Sequence, residues 1–202
     1  MQITIRPVLS PDDEVAIADV REQVFKREKG IELPPLLCTD PSSSLHLLAR
    51  VESDGRPIAA LSVVDTSGNC ELHQSCGLEF PAGAFVARLT RLAVINEYRG
   101  LNIPMMLMLE AHRRFIVPGR FGYSWLLFDA HRALSSELLK GLAFVPRECV
   151  VLSEYGPSRA LVRDEGAPRS GRVMREAEEY LRQLTEPRLL GGHFALHPAA
   201  RA

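Results

Sequence analysis

Leu89-Thr90-Arg91-Leu92-Ala93-Val94-Ile95-Asn96-Glu97-Tyr98-Arg99-Gly100-Leu101-Asn102-Ile103-Pro104 reads as a strand that ends in a turn and runs directly into a helix. Leu92, Ala93, Val94 and Ile95 form an apolar strand end of the kind that suits a buried sheet. Asn96, Gly100 and Asn102 tolerate the special backbone geometry of a turn. Met105 to Phe115 is built mostly from good helix formers. A helix N-terminus presents unpaired N–H groups and a partial positive charge. The turn is therefore suited to a phosphate or pyrophosphate, and Arg99 adds a permanent charge beside it. Pro104 fits a first helical turn but withholds one N–H.

Outward from this junction the pattern alternates. Gln2 to Val8 reads as a strand. Pro11-Asp12-Asp13-Glu14 opens a helix that runs from Glu14 to Lys29 and stops at Gly30. Ile31 to Ser44 reads as a loop. Leu45 to Glu52 and Pro57 to Asp65 read as strands joined by the turn Ser53-Asp54-Gly55-Arg56. Cys70 to Phe80 reads as a short strand and loop, and Phe85 to Ile95 as the long central strand. A helix over Leu101 to Phe115 is broken by Pro118-Gly119-Arg120-Phe121-Gly122. Beyond it come a buried strand (Ser124 to Asp129), a helix (His131 to Lys140) and two strands (Phe144 to Ser153, Ser158 to Arg163).

Composition sets the outer limits. With 202 residues, 46% of them hydrophobic, one domain with a sizeable core is expected. We place it at 1–165, followed by a segment at 166–202. That segment comprises a linker (Gly166 to Gly171), a charged helix (Arg172 to Leu184) and a loose tail (Pro187 to Ala202). A net charge of -1 argues against a nucleic-acid-binding surface. No apolar run is long enough to span a membrane. The N-terminus lacks the form of a signal peptide, and four irregularly spaced cysteines argue against a disulfide framework. The cytoplasm is the expected compartment.

The ordered set of motifs resembles the GNAT superfamily, the Gcn5-related N-acyltransferases, over roughly Ile3 to Leu152. Arg99-Gly100-Leu101-Asn102-Ile103-Pro104 is similar to their Arg/Gln-x-x-Gly-x-Gly/Ala donor motif in degenerate form, with Asn102 and Pro104 where small residues are usual. Leu138-Leu139-Lys140-Gly141-Leu142-Ala143-Phe144 resembles their second motif. Val20 to Gly30 resembles a narrower branch, the acyl-homoserine-lactone synthases and long-chain N-acyl amino acid synthases, through Arg21-x-x-Val24-Phe25-x-x-Glu28-x-Gly30. Thr90-Arg91-Leu92-Ala93-Val94 is similar to the central strand of that branch.

The resemblance implies an α/β GNAT fold: a central mixed twisted β-sheet flanked by helices, with splayed central strands. It implies that backbone groups of Leu92 and Val94 bind the donor carbonyl. Arg99, Gly100, Leu101, Asn102 and Ile103 would then hold the donor phosphates, and Arg21 and Phe25 would face the acceptor and acyl pocket. The implied activity is acyl transfer from acyl-CoA or the phosphopantetheine of an acyl-carrier protein to the amine of a small molecule, an amino acid among the candidates. An acetyl-CoA-dependent N-acetyltransferase and a non-catalytic acyl-thioester-binding module are the alternatives. The usual central-strand Glu and second-motif Tyr of relatives are missing, leaving Ser135 or Ser136 as the groups near the leaving thiolate.

Other residues are read on their own chemistry. A charge in an apolar strand needs a partner or a task, so Arg91 is either a structural ion pair or the holder of an acceptor carboxylate. Strict alternation places it on one face with Leu89 and Ala93, opposite Thr90, Leu92 and Val94. Met105 to Leu109 is core packing or the wall of an acyl groove. Cys70-x-x-His73-x-x-Cys76, with Cys38 or Cys149 as a fourth ligand, lacks the second ligand pair of a zinc site, and no metal is expected. Asp129 reads as a helix cap for the turn that carries His131. Arg99, Arg113, Arg114 and Arg120 form either a solvated face or a surface for an acidic carrier protein. The charged helix is a solvated face or a contact with a second copy.

Overall fold

The computed structural model describes residues 2–33, 43–133 and 136–188, the side chains of 183–188 excepted. Strands β1 (Ile3–Pro7), β2 (Ser44–Val51), β3 (Pro57–Asp65) and β4 (Val86–Val94) pair antiparallel in chain order. Strand β5 (Tyr123–Asp129) lies parallel to β4, as a strand reached through a helical crossover does. Strands β6 (Val145–Ser153) and β7 (Gly156–Asp164) finish one mixed sheet of seven strands in the order β1-β2-β3-β4-β5-β7-β6. The fold class implied by the motifs is the one observed.

The centre of this sheet is irregular in two linked ways. Ser62 pairs with Thr90 and Ala60 with Ala93, so Arg91 and Leu92 together face Leu61. This is a β-bulge, and Arg91 takes the left-handed conformation with φ 54°. A bulge bends its strand and increases the local twist. The β4–β5 ladder runs only from Val86↔Tyr123 to Arg88↔Trp125, while β5 pairs with β7 along its whole length. From Leu89 onward the two central strands part.

Helices cover both faces. Ser10 caps α1 (Pro11–Arg21), its hydroxyl accepting the Asp13 N–H at 3.2 Å. The helix continues as a π-helix over Glu22–Arg27, and Gly30 ends it with φ 67° and an N–H bond to the Lys26 carbonyl. Ile17, Val20, Val24 and Phe25 pack on Leu48, Ala60, Ala93 and Ile95. On the other face, helix α3 (Ile103–Ala111) and its π-helical continuation His112–Ile116 pack Leu107, Leu109 and Ile116 against Leu47, Leu61, Leu89 and Val94. Leu92 joins this second cluster and Ala93 the first. The bulge thus reverses the expected alternation, putting Leu92 with Leu89 and Val94 on the α3 face.

Several boundaries differ from the sequence reading. Cys70–Ser75 is a helix, α2, started by the Asn69 side chain accepting the Leu72 N–H. Its His73 turns inward, Nε2 3.1 Å from the Thr66 hydroxyl, to which Trp125 also donates. The expected helix over His131 to Lys140 becomes two short pieces, α4 (Ala130–Ala133) and α5 (Glu137–Gly141), each with its own side-chain cap. Part of the expected linker is already helix: α6 runs Pro168–Arg188 and buries Met174 and Ala177 in the main core. The tail beyond Arg188 and the loop containing Cys38 lie outside the described residues.

A buried ion pair ties α6 and β7 to the α3 side. Arg163, 1% exposed, holds Glu165 at 2.7 Å and lies over the Phe144 ring. Burial alone would raise the Glu165 pKa. His112, Arg163 and Ser124 outweigh it and hold the carboxyl below its usual range. Its stabilising contribution is therefore complete at neutral pH and lost as pH falls through that depressed value.

Two stability predictions follow from this geometry. Arg163→Met should lower the unfolding free energy in urea by about 3–5 kcal/mol, because Glu165 is left buried and charged. Arg163→Met/Glu165→Leu should recover most of that, and equal losses would contradict the pairing. Arg91→Gly should be more stable than Arg91→Ala by about 1–2 kcal/mol, since only alanine meets the cost of positive φ. Equal midpoints would rule out the bulge geometry.

Candidate active site

The parting of β4 and β5 opens a cavity of about 400 Å³. Its middle is apolar, formed by Leu89, Leu92, Met108, Leu126, Leu138 and Leu139. One wall is a strand edge. Ile95 donates its N–H to Ile58 on β3 at 3.0 Å. Polar groups alternate along a strand, so Val94 and Leu92 direct theirs to the other edge, where the β5 ladder has ended. The Val94 carbonyl on that edge accepts from Arg99 Nε at 3.1 Å.

Arg99 is fully engaged. Besides Val94 it donates to the Asn96 side chain at 2.9 Å and pairs with Glu28 beyond the π-helix. It fastens the strand end, the 3-10 turn Asn96–Tyr98 and the first helix to one another. The loop that follows carries two left-handed residues, Gly100 (φ 89°) and Asn102 (φ 58°). Asn102 caps α3 by position, its backbone carbonyl accepting the Met106 N–H. Leu101 is exposed and Ile103 is buried at the first helical position. The loop's N–H groups and the parted strands thus adjoin.

Charged groups gather at the closed end of the gap. Arg88 and Arg91 line the cavity, and Arg21 stands close enough to Arg91 to feel its charge. Arg21 donates to the Ser62 hydroxyl, which is itself 2.6 Å from His46 Nδ1. Burial first, and the neighbouring Arg91 second, push the Arg21 guanidinium down to about 10. It stays charged at neutral pH. Burial, with Arg21 and Arg91, lowers the His46 pKa and keeps that imidazole neutral. Glu154 lies 3.8 Å from Arg88, whose guanidinium also covers the Trp125 ring. The Nε atoms of Arg21 and Arg88 are buried and bond no described residue. Arginines this crowded, with buried donors to spare, suit an incoming anion such as a carboxylate.

Tyr155 is the residue that the sequence reading missed. It sits in the turn between β6 and β7, lines the cavity and packs on Phe25 with ring centroids 5.7 Å apart. Its hydroxyl is buried against the Thr90 side chain, with which it forms no hydrogen bond of regular geometry. Burial raises its pKa, so the phenol is neutral and able to give a proton. Nothing near Glu154-Tyr155-Gly156 in sequence signals this, since the residue arrives through the sheet order. Phe25 also lines the cavity. Ser136 does not; its hydroxyl caps α5 by accepting the Leu139 N–H. Ser135 lies outside the described residues.

The remaining candidates are elsewhere. Arg113 and Arg114 are paired with Glu110 and Glu178. Asp129 caps α4 by accepting the N–H groups of His131 and Arg132. Cys70 is exposed and Cys76 buried, with His73 turned onto Thr66. Among the described residues no group of three metal-ligating side chains assembles, and no helix is long and apolar enough to cross a membrane.

No family model and no curated protein matches the chain in sequence. Solved structures match it in shape. FeeM, an N-acyl amino acid synthase from uncultured soil microbes, superposes with a TM-score of 0.63 at 12% identity, over 81% of this chain and 91% of that one. A putative N-acetyltransferase from Lactobacillus plantarum gives 0.61 at 17% identity, over 81% and 99%. BjaI, a CoA-dependent acyl-homoserine lactone synthase solved with SAM and isopentyl-CoA, gives 0.61 at 13%, over 88% and 89%. At such identities the likeness is one of fold. The mixed sheet with parted central strands, feeding a strand–loop–helix junction, is the fold of the GNAT N-acyltransferases.

Proposed function

We propose that this protein is an N-acyltransferase that moves an acyl group from an acyl thioester to the amine of a small acceptor bearing a carboxylate, an amino acid being the simplest. The observation that carries this reading is the gap between β4 and β5. An open strand edge and a cluster of arginines border one cavity, and a loop suited to phosphate follows the tip of the same strand. The donor is a coenzyme A thioester or an acylated phosphopantetheine arm.

Acyl transfer to an amine needs an aligned carbonyl, a free amine and stabilisation of the oxyanion. In this reading the N–H of Val94 or Leu92 donates to the thioester oxygen and holds the charge that grows there. The amine nitrogen attacks the carbonyl carbon, the C–S bond breaks, and an amide forms. The Tyr155 hydroxyl protonates the departing thiolate, and the amine's surplus proton passes through water to restore that hydroxyl. Arg91 and Arg21 hold the acceptor carboxylate. The carboxylate relieves the repulsion that Arg91 imposes on Arg21. The apolar middle of the cavity, which reaches Met108 of α3, takes the acyl chain.

The test is thiol release from acyl-CoA thioesters of graded chain length in the presence of single amino acids, with the product identified by mass spectrometry. Release that depends on an amino acid supports the reading. Thioester binding without release under any acceptor would instead mark a binding module. Arg91→Met should lower kcat/KM for a carboxylate acceptor about 10–100-fold, the worth of a charge-assisted bond, and leave its carboxamide analogue nearly unchanged. Equal losses for the two acceptors would remove the carboxylate role. Tyr155→Phe should cut kcat about 100-fold or more with a smaller change in KM. An unaltered kcat would strike Tyr155 from the mechanism.

A further inference from the structure

The donor end of the cavity carries a second set of cations that the arginine cluster does not include. Lys29 is the last helical residue before Gly30, and Arg132 sits on α4 across the gap. Both line the cavity, one from the end of the first helix and the other from α4. Arg99 adjoins the Lys29 side of this arrangement: its partner Glu28 precedes Lys29, and its charge and that of Arg132 both bear on the Lys29 ammonium. Burial, reinforced by those two charges, holds the Lys29 pKa below its ordinary value. The ammonium lies 5.4 Å from the Phe25 ring centroid. Like charges drawn together in a half-buried cleft are stabilised when an anion lies between them.

We infer that Lys29 and Arg132 form a two-sided clamp for the phosphate of the donor's phosphopantetheine arm. This rests on the acyl-thioester reading above. It also answers a deficit in the strand–loop–helix junction. Pro104 withholds one backbone donor, and Arg99, the charge expected at the phosphate, is spent on Val94, Asn96 and Glu28. The clamp supplies from side chains what the loop lacks. One half comes from the first helix and the other from α4, so the anion also draws the two sides of the cleft together. The chemistry recognised is a phosphate on a pantetheine chain, whether in coenzyme A or on a carrier protein.

Isothermal titration with coenzyme A, 4′-phosphopantetheine and pantetheine tests this on the wild type and on Lys29→Gln/Arg132→Gln. The clamp predicts at least a tenfold weaker Kd of the variant for both phosphate-bearing ligands, and pantetheine affinity within twofold of wild type. The wild-type salt dependence for coenzyme A should flatten in the variant. Lys29→Arg/Arg132→Lys, which keeps both charges, should retain coenzyme A binding. A larger loss for coenzyme A than for phosphopantetheine supports a clamp on the diphosphate; equal losses support a clamp on the single phosphate that a carrier protein also bears. Unchanged coenzyme A affinity, or a loss of pantetheine equal to that of coenzyme A, overturns the clamp while the acyl-thioester reading stands. A wild type that binds none of the three overturns that reading, and the clamp with it.

Discussion

The bulge at Arg91 is the constraint on which the rest of the molecule depends. One extra residue in β4, opposite Leu61, turns the strand and puts Arg91 in a left-handed conformation. That conformation costs a non-glycine residue about 1 kcal/mol, and the surrounding sheet sustains it. In return the bend carries the second half of β4 away from β5. The ladder between them stops at Arg88↔Trp125, and a strand edge that would be sealed in a regular sheet is left facing a cavity. Without the bulge β4 and β5 would zip together, and the site would have neither space nor backbone donors.

Charge placement follows from the same bend. At the closed end Arg88, Arg91 and Arg21 approach one another, near Glu154 and a neutral His46. At the open end Arg99 serves as a strut, fastening the tip of β4 to the first helix through Glu28. The strut keeps the gap from closing when β4 bends. It also fixes the end of the helix that carries Phe25 and Lys29 to the cavity wall. Both the first helix and α3 pass into π-helical turns, a departure frequent at functional sites. The widened first helix is the segment that holds Phe25.

Much of this was legible in the sequence where local chemistry decides. The junction from Val94 to Ile103 announces itself through Gly100, Asn102 and an apolar helix, and the structure has that strand–loop–helix unit. The order of strands and main helices was readable from periodicity and turns, but the helix at Cys70–Ser75 was read as a strand and the one at His131 to Lys140 is two. The alternation along β4 was not. A bulge is set by pairing with β3 and by the twist of the whole sheet, so nothing in Thr90-Arg91-Leu92 announces it. Tyr155 escaped notice because it reaches the cavity only after β7 inserts between β5 and β6. Ser136 has a local task that its neighbours set. A serine ahead of a short helix is a cap first, and the Leu139 N–H claims its hydroxyl. No local pattern singles out Lys29 or Arg132, which line one cleft only once the fold is formed.

The central claim is that the open edge of β4 receives the donor carbonyl. It is tested most directly by following the backbone amide resonances of Leu92 and Val94 while a non-reactive thioether analogue of an acyl-CoA is titrated in. The account predicts that one or both amides shift downfield in a saturable way, together with signals from Gly100 to Ile103. The amides of β1 and β2 should stay in place. Saturable binding that leaves Leu92 and Val94 unmoved, with the changes centred on the surface between α3 and α6 instead, would contradict it.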